Sequence, residues 1–344
     1  MLMVILGAGA SYDSAQAFRP NRAPGEEVWR PPLAKDLFSN PHHAFGDIVR
    51  NYPKLTHILP HLREPPKGTS VEEVLESLQQ EGTNNPERQR ELASVRFYLC
   101  ELLDKITTEW IKRTDRVTNY APLIADILRF NGSGEEVCLV TFNYDLLLEN
   151  ALYTFGFKGR DPEDYLDCHP TLKLFKLHGS VDWSRLVEVG PGARIQPETL
   201  IEHAESIRLS DRFVRAVATN PHQMFGFDRP IFPAIAIPAQ TKSEHSFECP
   251  RNHIHYLSNM LPHITKILIV GWQAKEAHFL RMLNSKLPRL RHLMVVGANQ
   301  QDARNTYGLF CTELGLIGPT EFVAQRGFTD FIVNHEGHTF FLQP

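Results

Sequence analysis

Paired cysteines are missing from this sequence. Its five, Cys100, Cys138, Cys168, Cys249 and Cys311, form no C-x-x-C pair. Neither a zinc ribbon nor a disulfide framework is indicated, and the five read as scattered, mostly structural thiols in a reducing compartment. Long apolar runs are missing too. The opening MLMVIL is too short for a signal h-region or a membrane span, and no later stretch could cross a bilayer, so a cytoplasmic protein without a membrane partner is expected. Neither sign of charge dominates: Lys and Arg number 36 against 40 Asp and Glu, a net −4 that supplies no global drive toward nucleic acid or an anionic membrane. There is no internal repeat and no low-complexity tract.

What is present suffices for a full core. The 344 residues are 42% hydrophobic, which suggests two domains or one with a large insertion. MLMVIL, VCLVT, LKLFKL, PAIAIP, KILIVG and HLMVVG read as strands, separated late in the chain by helix-like segments such as DLLLENALYTF and KEAHFLRMLNSKL. That alternation predicts an α/β, doubly wound, Rossmann-like parallel sheet. Between the first and second strands, LAKDLF, SVEEVLESLQQ and ELASVRFYLCELLDKITTEWIKR carry apolar residues at three-and-four spacing. Residues 33–130 are therefore read as a helical insertion into a core made of 1–32 and 131–344. Ser70 and Glu73 have the spacing of a capping box. Residues 14–32 are irregular and fit either a flap over a ligand or a surface loop. Residues 184–230 read as a second, smaller excursion.

Three strings follow predicted strands: GAGAS at 7–11, TFNYD at 141–145 and KLHGSVDW at 176–183. Strand ends are where open α/β sheets bind ligands. In the first, Gly7 and Gly9 permit a tight turn, so that the backbone of Gly7, Ala8, Gly9, Ala10 and Ser11 can approach a diphosphate at a helix N-terminus. An ordinary glycine turn fits equally well. In the second, Asn143 offers both a donor and an acceptor to a ribose hydroxyl or a water, and Asp145 can stabilise positive charge. The plainer alternative makes Asn143 a turn residue and Asp145 a helix cap. In the third, His178 suits general-base work near neutral pH, with a buried, hydrogen-bonded imidazole as the alternative. Trp183, Trp272 and Phe279 could stack on a base or serve the core. Cys249 with His253 and His255, and His57 with His61, offer metal ligands without a fourth partner, so structural or solvated histidines are expected and no metal cofactor.

These strings resemble the sirtuin superfamily. GAGAS looks like its cofactor loop, TFNYD like its T-x-N-x-D segment and KLHGS like its His-Gly. IPAQTK (237–242) is similar to a Pro-x-x-x-Lys stretch of bacterial sirtuin-like proteins. IVGWQAKE (269–276) sits where the family has a Gly-x-Ser turn, with Gln273 in place of the Ser. VVGANQQDA (295–303) resembles the strand whose Asn contacts the adenosine half. The resemblance implies NAD as substrate, bound by Gly7 to Ser11, Thr141, Asn143, Asp145, Gly271, Trp272, Gln273 and Asn299, with Asn143, Asp145 and His178 catalytic. The helical insertion and the lack of four zinc cysteines look like the prokaryotic phage-defence branch. That implies NAD+ hydrolysis in a homo-oligomer, with an ATPase or Argonaute-type neighbour as a further partner. NAD-dependent deacylation or ADP-ribosyl transfer, and a non-catalytic NAD or ADP-ribose sensor, are the rival expectations.

Overall fold

The computed structural model describes residues 1–19, 29–39, 45–130, 134–189, 196–224, 226–238, 247–287, 290–316 and 318–343. In chain order they form β1 (Leu2–Leu6), α1 (Ala8–Tyr12), α2 (Phe45–Arg50), α3 (Leu55–Arg63), α4 (Val71–Gly82), α5 (Pro86–Arg113) and α6 (Tyr120–Phe130). Then come β2 (Val137–Thr141), α7 (Leu147–Tyr153), β3 (Leu172–Lys176), β4 (Gly179–Val187), α8 (Pro197–Glu202), β5 (Leu209–Arg215), α9 (Pro221–Met224) and β6 (Ile231–Ile235). The last part holds α10 (Arg251–Met260), β7 (Lys266–Val270), α11 (Ala277–Lys286), β8 (His292–Val296), α12 (Gln300–Glu313), β9 (Thr320–Ala324), α13 (Gly327–Val333) and α14 (His338–Phe341).

Six strands form a parallel sheet in the order β3-β2-β1-β7-β8-β9. Strands β1, β2 and β3 are buried along their whole length. Such continuous apolar runs are what a sheet covered on both faces requires. The chain moves outward from β1 through β2 to β3, then returns to β7 on the other side of β1. The topological switch therefore lies between β1 and β7, and the crevice beyond their carboxyl ends is the expected ligand position.

PAIAIP is a correction to the sequence reading. Its strand, β6, pairs antiparallel with β4 in a separate three-stranded sheet of order β5-β4-β6. Strand β4 starts three residues after β3 ends, too close to return as a parallel neighbour, because parallel pairing needs a crossover of a dozen or more residues. Strand β9 went unread in the sequence. Only its last residue, Ala324, is buried, and as an edge strand it carries just the short apolar run Phe322–Ala324 rather than a full-length one.

The hydrophobic residues divide into two clusters. One surrounds the parallel sheet. The other joins helices α2 to α5 to the antiparallel sheet, with the Phe97 and Phe232 rings 5.1 Å apart, edge to face. The helical segment thus packs mainly on β4 and β6 rather than on the main sheet. Its far end differs: Trp110, Tyr120 and Leu123 belong to the parallel-sheet cluster. LAKDLF forms a single 3-10 turn, Ala34–Asp36, rather than a helix. The capping box is as the spacing predicted: the Ser70 hydroxyl accepts from the Glu73 N–H, and the Glu73 carboxylate accepts from the Ser70 N–H. No helix among the described residues is long and apolar enough to cross a membrane.

Candidate active site

A cavity of about 820 Å³ opens where the switch point predicts, at the carboxyl ends of the central strands. Gly7, Ala8, Gly9 and Ser11 line it from the β1 turn, Asn143 and Asp145 from the β2 turn and His178 from the β3 turn. Gly271, Trp272 and Gln273 line it from the β7 turn. Ala10, Thr141 and Asn299 do not lie on its lining. Ala10 is fully buried. The Thr141 hydroxyl shapes the turn, donating to Leu6 O and accepting from the Asn143 N–H. Asn299 caps α12: its Oδ1 accepts from the Asp302 N–H and its Nδ2 donates to the Asp302 carboxylate. Trp183 and Phe279, candidates for stacking, are fully buried core residues.

The glycines of GAGAS do a different job from the one the sequence suggests. A Cβ on Gly7 would lie 2.6 Å from Gly271 O and from Trp272 Cα, and one on Gly9 would lie 2.8 Å from Gly271 Cα. The β1 turn and the β7 turn pack backbone to backbone. The N–H groups of Gly7, Gly9 and Ala10 are already bonded, to Val270 O, Gly271 O and Gly7 O. Ala8 is the exposed first residue of α1, and its N–H has no backbone acceptor among the described residues. The part of this loop left for an anion is therefore Ala8 N–H with the helix end behind it.

Asn143, Asp145 and His178 are 7%, 8% and 6% exposed, so each is reached only from within the cavity. The Asn143 amide nitrogen donates to Gly7 O at 2.9 Å and Ser11 Oγ at 3.0 Å, with Tyr120 Oη at 3.4 Å. Ser11 Oγ and Tyr120 Oη are 2.9 Å apart. Asn143 thus stitches the β2 turn to the β1 turn with its donor half, and its carbonyl oxygen takes no part in those bonds. Asp145 Oδ1 accepts from the N–H of Leu147, the first residue of α7, although the N-cap position itself is Leu146, and Asp145 also lines the cavity. The His178 ring sits edge-on to Phe142, centroids 4.8 Å apart, and stacks at 6.2 Å on Tyr144. The residue after it must be glycine. Gly179 has φ +82, and a Cβ there would fall 1.8 Å from Ala234 O of β6.

Several residues on the cavity wall or just behind it left no signal in the sequence. Tyr120, at the start of α6, is the hydroxyl that joins Ser11 to Asn143. Burial, with the Asp145 charge adding to it, pushes its phenol well above the ordinary value, so it stays protonated. Asp13 lies on the cavity wall, its carboxylate accepting from the Thr329 N–H at 3.0 Å and the Thr329 hydroxyl at 2.6 Å. Burial raises its pKa against those bonds. Arg19 lines the mouth and pairs with Asp330 at 2.7 Å. These groups meet only because β9 brings residues 326–330 beside the β1 turn. Trp272 stacks on Phe142 at 5.3 Å and donates to the Glu276 carboxylate, which holds the β7 turn against the β2 turn.

All five cysteines are free. His253 is fully buried between aromatic rings, 6.2 Å from Phe175 and 6.1 Å from Trp183, and burial lowers its pKa to about 4. It is a core histidine. His57 lies 3.5 Å from Glu91, away from the cavity. Of IPAQTK, Pro238 lines the cavity, while residues 239–242 lie outside the described residues, as do 20–28 of the suggested flap.

No family model matches the chain, and no curated protein matches it. Among solved structures it is similar to the crystal structure of a Sir2 homologue–NAD complex, at 12% identity over 98% of this chain and 90% of that one, TM-score 0.40. A Sir2 homologue mutant–ADP-ribose complex gives 11% identity, coverage of 100% and 94%, and a TM-score of 0.43. Sir2Tm bound to a propionylated peptide gives 12% identity, coverage of 100% and 94%, and a TM-score of 0.38.

Proposed function

We propose that this protein is a sirtuin-like NAD+ glycohydrolase that releases nicotinamide and ADP-ribose. One observation carries the reading: Ala8, Asn143, Asp145 and His178, remote in sequence, line one cavity at the switch point of a doubly wound sheet. NAD would lie across the strand ends with its diphosphate against Ala8 N–H. The C1′–N bond breaks with its electron pair staying on nicotinamide, which leaves as a neutral base. Water then bonds to C1′ and gives up one proton, for which His178 is the acceptor. Asn143, its nitrogen held by Gly7 and Ser11, presents its carbonyl oxygen to the ribose or the water. Asp145, with Oδ1 held by Leu147, presents Oδ2 to the nicotinamide side or to the developing positive charge. The motif resemblance and the helical segment further support a cytoplasmic, NAD-depleting effector of antiviral defence, assembled as a homo-oligomer or beside an ATPase or Argonaute-type partner.

The test is nicotinamide release from NAD in water, with and without an acyl-lysine peptide. Release that ignores the peptide supports hydrolysis. Release only with an acceptor would make the protein a deacylase or transferase. Binding without release would make it a sensor.

A further inference from the structure

Beneath the site lies an ion pair that the reaction does not use. The side chains of Lys176 and Glu149 are 1% and 0% exposed, with Nζ 2.8 Å from Glu149 Oε1. The same ammonium donates to the backbone carbonyl of Asp145 at 2.5 Å. Glu149 Oε2 has no hydrogen-bond partner among the described residues. Placing two charges out of water is costly, and an apolar pair of similar volume often does as well or better for stability alone. Position offers a reason for the pair. Lys176 is the last residue of β3, two before His178, and pairs in register with Thr141, two before Asn143. Glu149 stands on α7, whose first residue, Leu147, donates its N–H to Asp145 Oδ1. One side chain therefore reaches from the His178 strand both to the turn that carries Asn143 and Asp145 and to the helix that follows that turn.

We propose that Lys176, bridging the Glu149 carboxylate and the Asp145 carbonyl, is the positioning residue that holds the Asn143–Asp145 turn in register with His178. The proposal rests on the glycohydrolase reading for its consequence in rate, and on geometry alone for its consequence in structure. Truncating one partner strands the other charge, so Lys176→Met should lower both the melting temperature and kcat. The informative protein is Lys176→Met with Glu149→Leu, where no buried charge is left. It should recover most of the melting temperature while kcat for nicotinamide release stays at least about tenfold down and KM moves less than about threefold. Wild-type kcat in that folded double variant would reduce the pair to a structural role and overturn the proposal.

A readout independent of turnover separates this proposal from the reading beneath it. The His178 ring proton, assigned by its loss in His178→Ala, should shift or broaden in the double variant. An unshifted, sharp line would also overturn the proposal, even if the unmutated protein proves not to hydrolyse NAD. Should the double variant not fold, Glu149→Gln keeps the volume and the Lys176–Asp145 bond. It should show the same ring-proton change in smaller measure, and an unaltered line would again count against the bridge.

Discussion

At Gly179 one hydrogen separates a working turn from a clash. Alanine there would meet both the positive φ and the Ala234 carbonyl, so Gly179→Ala should destabilise by on the order of 3 kcal/mol. Chemical denaturation measures this directly. At His178 the expectation is chemical: His178→Ala should keep the melting curve and lose about 100-fold or more of nicotinamide release, the range for a general base. Adding Asn143→Ala should cost little beyond the worse single change, because groups that act together are not additive. A well-folded His178→Ala protein with the unmutated rate would remove this residue from the chemistry. His253 gives a pH signature. Its pKa falls from 6.5 to about 4 in the fold, so its neutral form is stabilising above pH 6.5 and that stability is lost as pH falls toward 4. The loss amounts to about 3 kcal/mol, and His253→Phe should flatten this part of a denaturation-versus-pH profile.

The end of α5, the start of α6 and the turn between them hold the β1 turn in place. Asn119 donates through its backbone to Ser14 O at 2.6 Å and through its side chain to Asp13 O at 2.8 Å, Trp110 donates to Ser14 Oγ at 2.9 Å, and Tyr120 bonds Ser11. Tyr120→Phe removes only the hydroxyl shared by Ser11 and Asn143. Its stability cost should be about 1 kcal/mol, with kcat falling more than KM changes, as steady-state kinetics would show. Helix α4 supplies the contrast. Ser70→Ala breaks its capping box and should cost about 1 kcal/mol as well, without altering NAD turnover. Equal effects of the two substitutions on kcat would mean that the Tyr120 network only stabilises the fold.

For the molecule as a whole, NAD should act as a folding ligand. At about 100 times its dissociation constant it should add about 2.7 kcal/mol, visible as a raised melting temperature. The cavity walls come from the carboxyl ends of several strands together with residues 326–330, so a ligand there ties together parts of the chain that otherwise meet only through packing. Melting curves indifferent to millimolar NAD would argue against the site. Once triggered in cells, the unmutated protein should deplete NAD and the His178→Ala protein should not, which a cofactor assay on extracts would read.

The sequence by itself determined the elements whose information is local. Continuous apolar runs marked β1, β2, β3, β7 and β8, three-and-four spacing marked α4 and α5, and Ser70 with Glu73 marked a helix start. It also brought Gly7, Asn143, Asp145 and His178 forward, because each follows a strand and strand ends face one crevice in a doubly wound sheet. Tertiary structure alone decided that β6 leaves the main sheet, since antiparallel pairing with β4 depends on where the chain turns after His178. It also decided that the GAGAS glycines serve a turn-to-turn contact, that Asn143 spends its nitrogen on Gly7 and Ser11, and that Asn299 caps a helix. Tyr120, Asp13 and Lys176 were invisible for the same physical reason. A hydroxyl, a carboxylate or an ammonium acquires its role from partners 23 to 316 residues away, and no local pattern records which of those distant groups it will meet.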